Sequence, residues 1–208
     1  RQQLNGERRA ERLAELQAQL ESVATGAVDA PRLPQVAATF VSQGCALLGA
    51  SAGRLAILDK GDSVLRTLWA AGYPAELDTK RDIDMGSDEP LAEAVRPGAP
   101  VMIEARGGSD ARSPNPASLR KLTGTEAVAA LPLSARGRVL GGIAFSFRDA
   151  RRFKPSHVSL MQALTYHAAL ALESAWRYER EQALRERAEV LVERHRFMAA
   201  ANACLASS

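Results

Sequence analysis

Along residues 7–29, "ERRAERLAELQAQLESVATGAVD", Leu13, Leu16, Leu20 and Val23 return every three or four positions, and Arg, Glu and Gln fill the other faces. That period predicts an amphipathic helix. Its apolar stripe is narrow, which suits a two-helix seam better than a broad docking face. Gly26 and Pro31 close the pattern. A second helix is expected over 34–48, where Val36, Phe40, Val41, Cys45 and Leu48 can share one side and Gly49 supplies a C-cap.

The period then switches from helical to alternating. "RLAILD" (54–59) and "VLRTLWAAG" (64–72) read as strands joined by "KGD" (60–62), a hairpin. Residues 74–90 are polar and irregular. "EPLAEAVRPG" (89–98) reads as a short helix between Pro90 and Pro97-Gly98, and "PVMIEA" (100–105) as a brief strand. Residues 106–118, rich in Gly, Ser, Pro and Asn, predict a loop. "LRKLTG" (119–124) has room for one helical turn. A second hairpin follows, with "TEAVAALPL" and "VLGGIAFSF" flanking "SARGR". Gly141-Gly142 inside a strand predicts a bulge or a close backbone approach. Pro132, with no N–H to donate, is expected at a strand end, an edge or a bulge.

From Pro155 a last helix is expected to run to the end of the chain. Its first half carries Val158, Leu160, Met161, Leu164, Ala168, Leu170, Ala171, Leu172 and Ala175, enough to bury against a sheet. From Arg177 the text becomes charge-rich, and Leu184, Ala188, Leu191, His195 and Met198 follow a four-three-four-three rhythm. That is a short heptad seam, and it calls for a partner helix. The order of elements describes an α+β domain: a central antiparallel sheet of five to six strands, helices packed on one face, a lid-like segment on the other, and coiled-coil-like helices at both ends.

Composition narrows the function classes. The 208 residues carry 27 Lys+Arg against 24 Asp+Glu, and 46% are hydrophobic. That is enough to build a core. The cations are mixed with anions and form no basic tract, so no nucleic-acid partner is indicated. Cys45 and Cys204 lie far apart without metal-site spacing and read as small hydrophobes; no disulfide scaffold, zinc site or other cofactor is implied. No apolar stretch approaches the ~20 residues of a membrane span. No membrane partner is expected, and the chain reads as a cytoplasmic piece of a longer protein.

Four strings, in order, resemble the GAF domain family: "GASAGRLAILD" (49–59), "PLAEAVRPGAPVMI" (90–103), "ALPLSARGRVLGGIAFSF" (130–147) and "RRFKPSHVSLMQALTYHAALALESA" (151–175). They look like the family's entry into its first strand, its cross-connection helix and third strand, its late hairpin, and its closing helix. One departure is Lys154, where the family usually has a Ser or Thr helix cap. PAS domains share a comparable sheet, but the helix before the first strand and the one after the last hairpin favour GAF. "RFMAAANACLASS" (196–208) resembles the opening helix of a further sensory module. The resemblance implies a bacterial signalling protein, a sensor histidine kinase or one with a phosphatase output. It divides the chain into an N-terminal signalling helix (1–30), a GAF domain (31–176) and a linker helix (177–208) leading to a further domain. The sensory part of a DNA-binding transcription regulator is the alternative.

Little in the chain suggests catalysis. It offers no paired carboxylates, no Cys/His set and no phosphate-cradling loop. "YHAAL" (166–170) lacks the acidic residue that follows a kinase phospho-acceptor histidine, so His167 reads as a packed or interfacial residue. The cysteines are not placed for covalent bilin attachment and are too few for methionine sulfoxide reduction. The asparagine-lysine-phenylalanine-aspartate-glutamate pattern of cyclic-nucleotide-binding relatives is not seen. The expectation is therefore a non-catalytic sensory module. The 106–118 loop reads either as solvated or as covering a small molecule of unknown identity, with Arg106, Asp110, Arg112 and Arg120 as candidate contacts and Trp69 lining that pocket or the core. The expected interface of a homodimer is Leu13, Leu16, Leu20 and Val23 with Leu184, Ala188, Leu191, His195 and Met198. The downstream output domain of the same polypeptide is the other expected partner. His195 in the seam could make pairing sensitive to pH, and Trp176 is expected to anchor domain to arm.

Overall fold

The structure, a computed structural model, describes residues 32–74, 82–104 and 123–206, with side chains as far as Leu191 and at Arg194. The expected helix over 7–29, the 106–118 loop and most of 119–124 lie outside the described residues.

Helix α1 (Leu33–Leu48) begins on a reciprocal N-terminal arrangement in which Gln35 Oε1 accepts from Arg32 N at 2.9 Å. It ends at Gly49, whose φ of 67° lets the Ala50 N–H turn back to the Cys45 carbonyl at 2.9 Å. Strands β1 (Ala52–Leu58) and β2 (Val64–Ala71) form the first hairpin. Asp59 stabilises the turn: Oδ1 accepts from Ser63 N at 3.0 Å and Val64 N at 3.2 Å, and these N–H donors hold its carboxyl below the usual carboxylate range. After β2 come β3 (Ile83–Asp84), the short α2 (Pro90–Val95) and β4 (Val101–Ile103). The late hairpin is β5 (Ala127–Ala135) and β6 (Arg138–Phe147). Its two-residue turn has Arg136 at φ 50° and Gly137 at φ 77°. Two positive values are what a type I′ turn needs to match strand twist. Last is α3 (Pro155–Ala206).

The six strands make one antiparallel sheet in the order β3-β2-β1-β6-β5-β4. The chain's two hairpins thus meet at β1–β6, in the middle of the sheet. On one face, α1 and the first half of α3 cover Leu55, Leu131, Leu133, Ile143, Phe145 and Phe147, and they contribute Phe40, Met161, Leu164 and Leu172 to the same core. α1 runs antiparallel to α3, since Leu33 N donates to Glu179 Oε1 near one end and Arg151 Nη1 donates to the Leu48 carbonyl near the other. The opposite face carries α2 over a smaller cluster of Ala56, Leu65, Ile83, Leu91, Val95, Ala130 and Ala144.

The glycine pair in β6 makes both closenesses possible. A Cβ on Gly141 would lie 2.2 Å from the Ala56 carbonyl oxygen; one on Gly142 would lie 2.7 Å from Leu91 Cδ1 and 2.8 Å from Val95 Cγ2. Gly141 therefore lets β1 and β6 approach, and Gly142 lets α2 rest on the sheet. The pairing register of β5 with β6 shifts just beside them, between Leu133 and Ser134. Pro132 pairs with Gly142 near that shift and beyond the stretch of β5 that β4 covers. Its missing N–H thus removes no bond to β4.

The β6–α3 connector is fastened at several points. Arg151 donates hydrogen bonds from Nε and Nη2 to Asp149 Oδ2 (3.1 and 2.8 Å), lies 4.1 Å over the Phe147 ring and ends α1 through Leu48. Phe153 packs edge-on against Phe147 at 5.7 Å, and its N–H donates to Glu104 Oε1 at 2.8 Å. Four parts of the domain therefore meet where α3 begins. The helical hydrogen bonds start from the Lys154 carbonyl, which accepts from His157 and Val158.

Candidate functional site

Three positions on the α2 face of the sheet break its apolar pattern. Arg54 alternates with Ala56 along β1 and stands opposite Ala144 of β6, so it points to the α2 side. Its side chain is only 13% exposed. A guanidinium held this far from water needs polar company. Nε donates to Thr67 Oγ1 at 2.9 Å, and Nη1 is 3.6 Å from Glu89 Oε2 at the N-terminus of α2. Ser146, two residues beyond Ala144 on the same face, shares a bond of 3.3 Å with the Tyr73 hydroxyl, and its carbonyl accepts from Ser51 Oγ at 3.0 Å. β1, β2, β6 and α2 thus bring Arg54, Thr67, Tyr73, Glu89 and Ser146 to one polar end of an otherwise apolar layer.

Burial pushes the Tyr73 phenol above its ordinary range, more than the Ser146 bond and the Arg54 charge pull it down. The folded chain keeps this proton where the unfolded chain loses it. Stability from Tyr73 is therefore complete below about pH 10 and falls as pH rises from there through the raised value. A spectrophotometric titration of phenolate should show a late step that Tyr73→Phe removes; an unchanged late step in that variant would contradict the burial of the hydroxyl.

The cluster gathers a guanidinium, a carboxylate and three hydroxyls, with Arg54 paired to Thr67 and Glu89 and Tyr73 paired to Ser146. It shows no constellation for bond-breaking chemistry. Among the described residues no three His, Cys, Asp or Glu side chains gather as metal ligands. Cys45 is half-buried, and burial pushes its thiol up, away from the reactive thiolate.

The residues singled out in the sequence are distributed differently. Trp69 pairs across strands with Leu55 and so belongs to the face under α1 and α3, at its margin and 42% exposed; it does not join the Arg54 cluster. Arg106, Asp110, Arg112 and Arg120 lie outside the described residues, as do Leu13, Leu16, Leu20 and Val23. Leu184, Ala188 and Leu191 are exposed on α3 beyond the sheet, and His195 and Met198 follow on the same helix. His167 is half-buried and edge-on to Tyr166 at 5.8 Å. Trp176 is 40% exposed where α3 leaves the domain. The sequence did hold a signal for Arg54: a charged residue in "GRLAIL", at a position whose alternation faces Ala56.

The family model that describes the GAF domain matches residues 30–173. The chain belongs to the GAF domain family. Solved GAF domains share the architecture. The one from a phosphoenolpyruvate-protein phosphotransferase of Coxiella burnetii has a TM-score of 0.63 at 17% identity, covering 80% of this chain and 95% of that one. Its counterpart from Acinetobacter has a TM-score of 0.61 at 12% identity, covering 81% and 96%. The second GAF domain of DevS from Mycobacterium smegmatis has a TM-score of 0.56 at 22% identity, covering 72% and 99%. At these identities the likeness is one of fold. No curated protein matches the chain in sequence. As a GAF domain the chain is a regulatory, non-catalytic module. No helix among the described residues is long and apolar enough to cross a membrane.

Proposed function

We propose that this GAF domain is a dimeric sensor whose terminal helices pair and whose α3 passes changes in the sheet to an output region of the same polypeptide, a kinase or phosphatase. One observation carries this reading. α3 is a single helix from Met161, buried in the core, to Ala206, well beyond the domain. The part after Arg177 alone extends about 45 Å at 1.5 Å per residue. A helix seated on the sheet at one end and projecting at the other turns a small tilt of its seat into a larger displacement at its tip. Leu184 and Leu191 are 57% and 54% exposed on this projecting part. Pairing would cover them, since a lone helix of this composition gains little from propensity alone.

The input of the proposed sensor is a small polar ligand at the Arg54–Tyr73–Ser146 cluster. It would shift the domain only by binding two arrangements of α2 or α3 unequally. Light scattering at tens of micromolar is expected to give twice the 22.3 kDa chain mass; a strictly monomeric species would count against pairing. Native mass spectrometry of the purified chain is expected to show a small bound mass that Arg54→Met loses. Identical spectra for both chains would remove the ligand part.

A further inference from the structure

α3 begins without either of the usual stabilising devices of a helix start. The Lys154 carbonyl accepts the first helical hydrogen bonds, from His157 N at 2.9 Å and Val158 N at 3.1 Å, so Lys154 is the N-cap. An ammonium side chain has no acceptor to offer the open N–H groups that follow. The first turn holds no acidic residue, although a negative charge there would suit the helix dipole. An acceptor arrives from another element instead. Glu104, directly after β4, reaches the residue before the cap, and its Oε1 accepts from Phe153 N at 2.8 Å. That is the length of a charge-assisted bond. It also brings a carboxylate to the positive end of a 52-residue helix.

The strand that carries Glu104 is lightly held by the sheet and continuous with α2. β4 lies at the sheet's edge and pairs with β5 through Val101, Met102 and Ile103. Val101 packs into the cluster beneath α2. The link between α2 and β4 is short and closed by hydrogen bonds: Gly98 N donates to the Val95 carbonyl at 3.1 Å, and Ala99 N to the Ala94 carbonyl at 3.0 Å. α2, this turn and β4 thus form one piece, running from Glu89 at the polar cluster to Glu104 at the start of α3. On the other side of the junction, Arg151 anchors the connector to Asp149, the Phe147 ring and the Leu48 carbonyl. Between that anchor and the helix lie Arg152, Phe153 and Lys154, and the Glu104 bond falls on the middle one.

We infer that Glu104 is the positioning residue through which α2 and β4 act on α3: its carboxylate supplies the acceptor that the helix start lacks, from an edge strand joined to α2. This rests on the relay through α3 proposed above and names its entry point. When α2 shifts on the sheet, β4 shifts with it and the bond to Phe153 N lengthens. The first turn of α3 then loosens while Arg151 still holds the connector. Events at the Glu89 end of α2 therefore reach the long helix at its beginning, without passing through the main core.

Hydrogen exchange followed by NMR in the full chain tests this. Glu104→Ala is expected to speed exchange at Phe153, His157 and Val158 about fivefold, the size of a lost helix cap, and to leave Ala168 and Leu172 in the core unchanged. Glu104→Gln keeps an acceptor oxygen and is expected to restore most of the protection. The coupling itself is read by displacing α2. Gly142→Ala does so from beneath, with a Cβ 2.7 Å from Leu91 Cδ1 and 2.8 Å from Val95 Cγ2. Leu91→Ala does so by emptying a buried seat, and serves if the first variant does not fold. Either is expected to speed exchange at Phe153, His157 and Val158 in the parent and to add nothing in the Glu104→Ala chain. An equal further rise in the Glu104→Ala chain, or no rise in the parent, would overturn the relay through Glu104. Unchanged exchange in Glu104→Ala itself would overturn the cap. Pairing fails separately, since these amides lie within each chain's own domain: a monomer that shows the coupled exchange removes the dimer and keeps the entry point.

Discussion

Replacing Gly141 by valine is expected to leave the chain largely unfolded. The new Cβ would sit 2.2 Å from the Ala56 carbonyl oxygen and 2.6 Å from Ile57 Cα. Both obstacles are backbone atoms of β1, so no side chain can rotate out of the way. The alternative is to part β1 from β6, the junction between the two hairpins. A cost above about 4 kcal/mol follows from such a clash. It is a large share of the 5–15 kcal/mol that holds a typical domain folded. Gly137→Ala is the control. A Cβ there meets nothing within 4 Å, and only its φ of 77° opposes the change, at a cost of about 1–2 kcal/mol. Circular dichroism melts of the two variants should differ sharply. A Gly141→Val chain melting within a few degrees of the parent would contradict the close β1–β6 approach.

Phe145→Ala is expected to have the next largest effect. The ring is fully buried at the centre of the main core, and α1 approaches it through a glycine: a Cβ on Gly44 would lie 2.5 Å from Phe145 Cζ and 3.0 Å from Leu164 Cδ2. Sheet, α1 and α3 therefore meet at this one ring. Losing it removes buried apolar area and leaves a void that rigid neighbours fill poorly, about 3–5 kcal/mol. At roughly 2–4 °C per kcal/mol for a chain of this size, Tm should fall by ~6–20 °C. Phe153→Ala should cost less, since Phe153 is only half-buried at the core's margin. A larger loss at 153 than at 145 would mean that α3 is seated chiefly by its connector.

These two sites also mark how far the sequence could be read. Gly141-Gly142 announced a close approach because strands rarely spend two residues without side chains, and the geometry bears that out on both sides of β6. The late hairpin was legible for a related reason, since Arg136-Gly137 lies between two apolar runs at turn spacing. β3 was not legible: Ile83–Asp84 is too short to show any period, and only its pairing with Val64 and Leu65 makes it a strand. The candidate site was hidden differently. Arg54 and Glu89 are 35 positions apart in sequence (89 minus 54), and nothing local says that the strand and α2 will face each other. Exposed charges are so common that each reads alone as solvated. Trp69 is conspicuous by its type, yet the register with Leu55 puts it on the other face of the sheet. Leu170 resembled its core neighbours in composition, but its helical angle turns it away from the sheet.

The central claim is mechanical: sheet and arm share one unbroken helix. Hydrogen exchange of backbone amides along Ala168–Leu191 tests it most directly. Protection should decline smoothly from the core into the arm, with slow exchange sustained through Ala175, Trp176 and Arg177. A rapidly exchanging gap at those residues, with protected segments on either side, would contradict it.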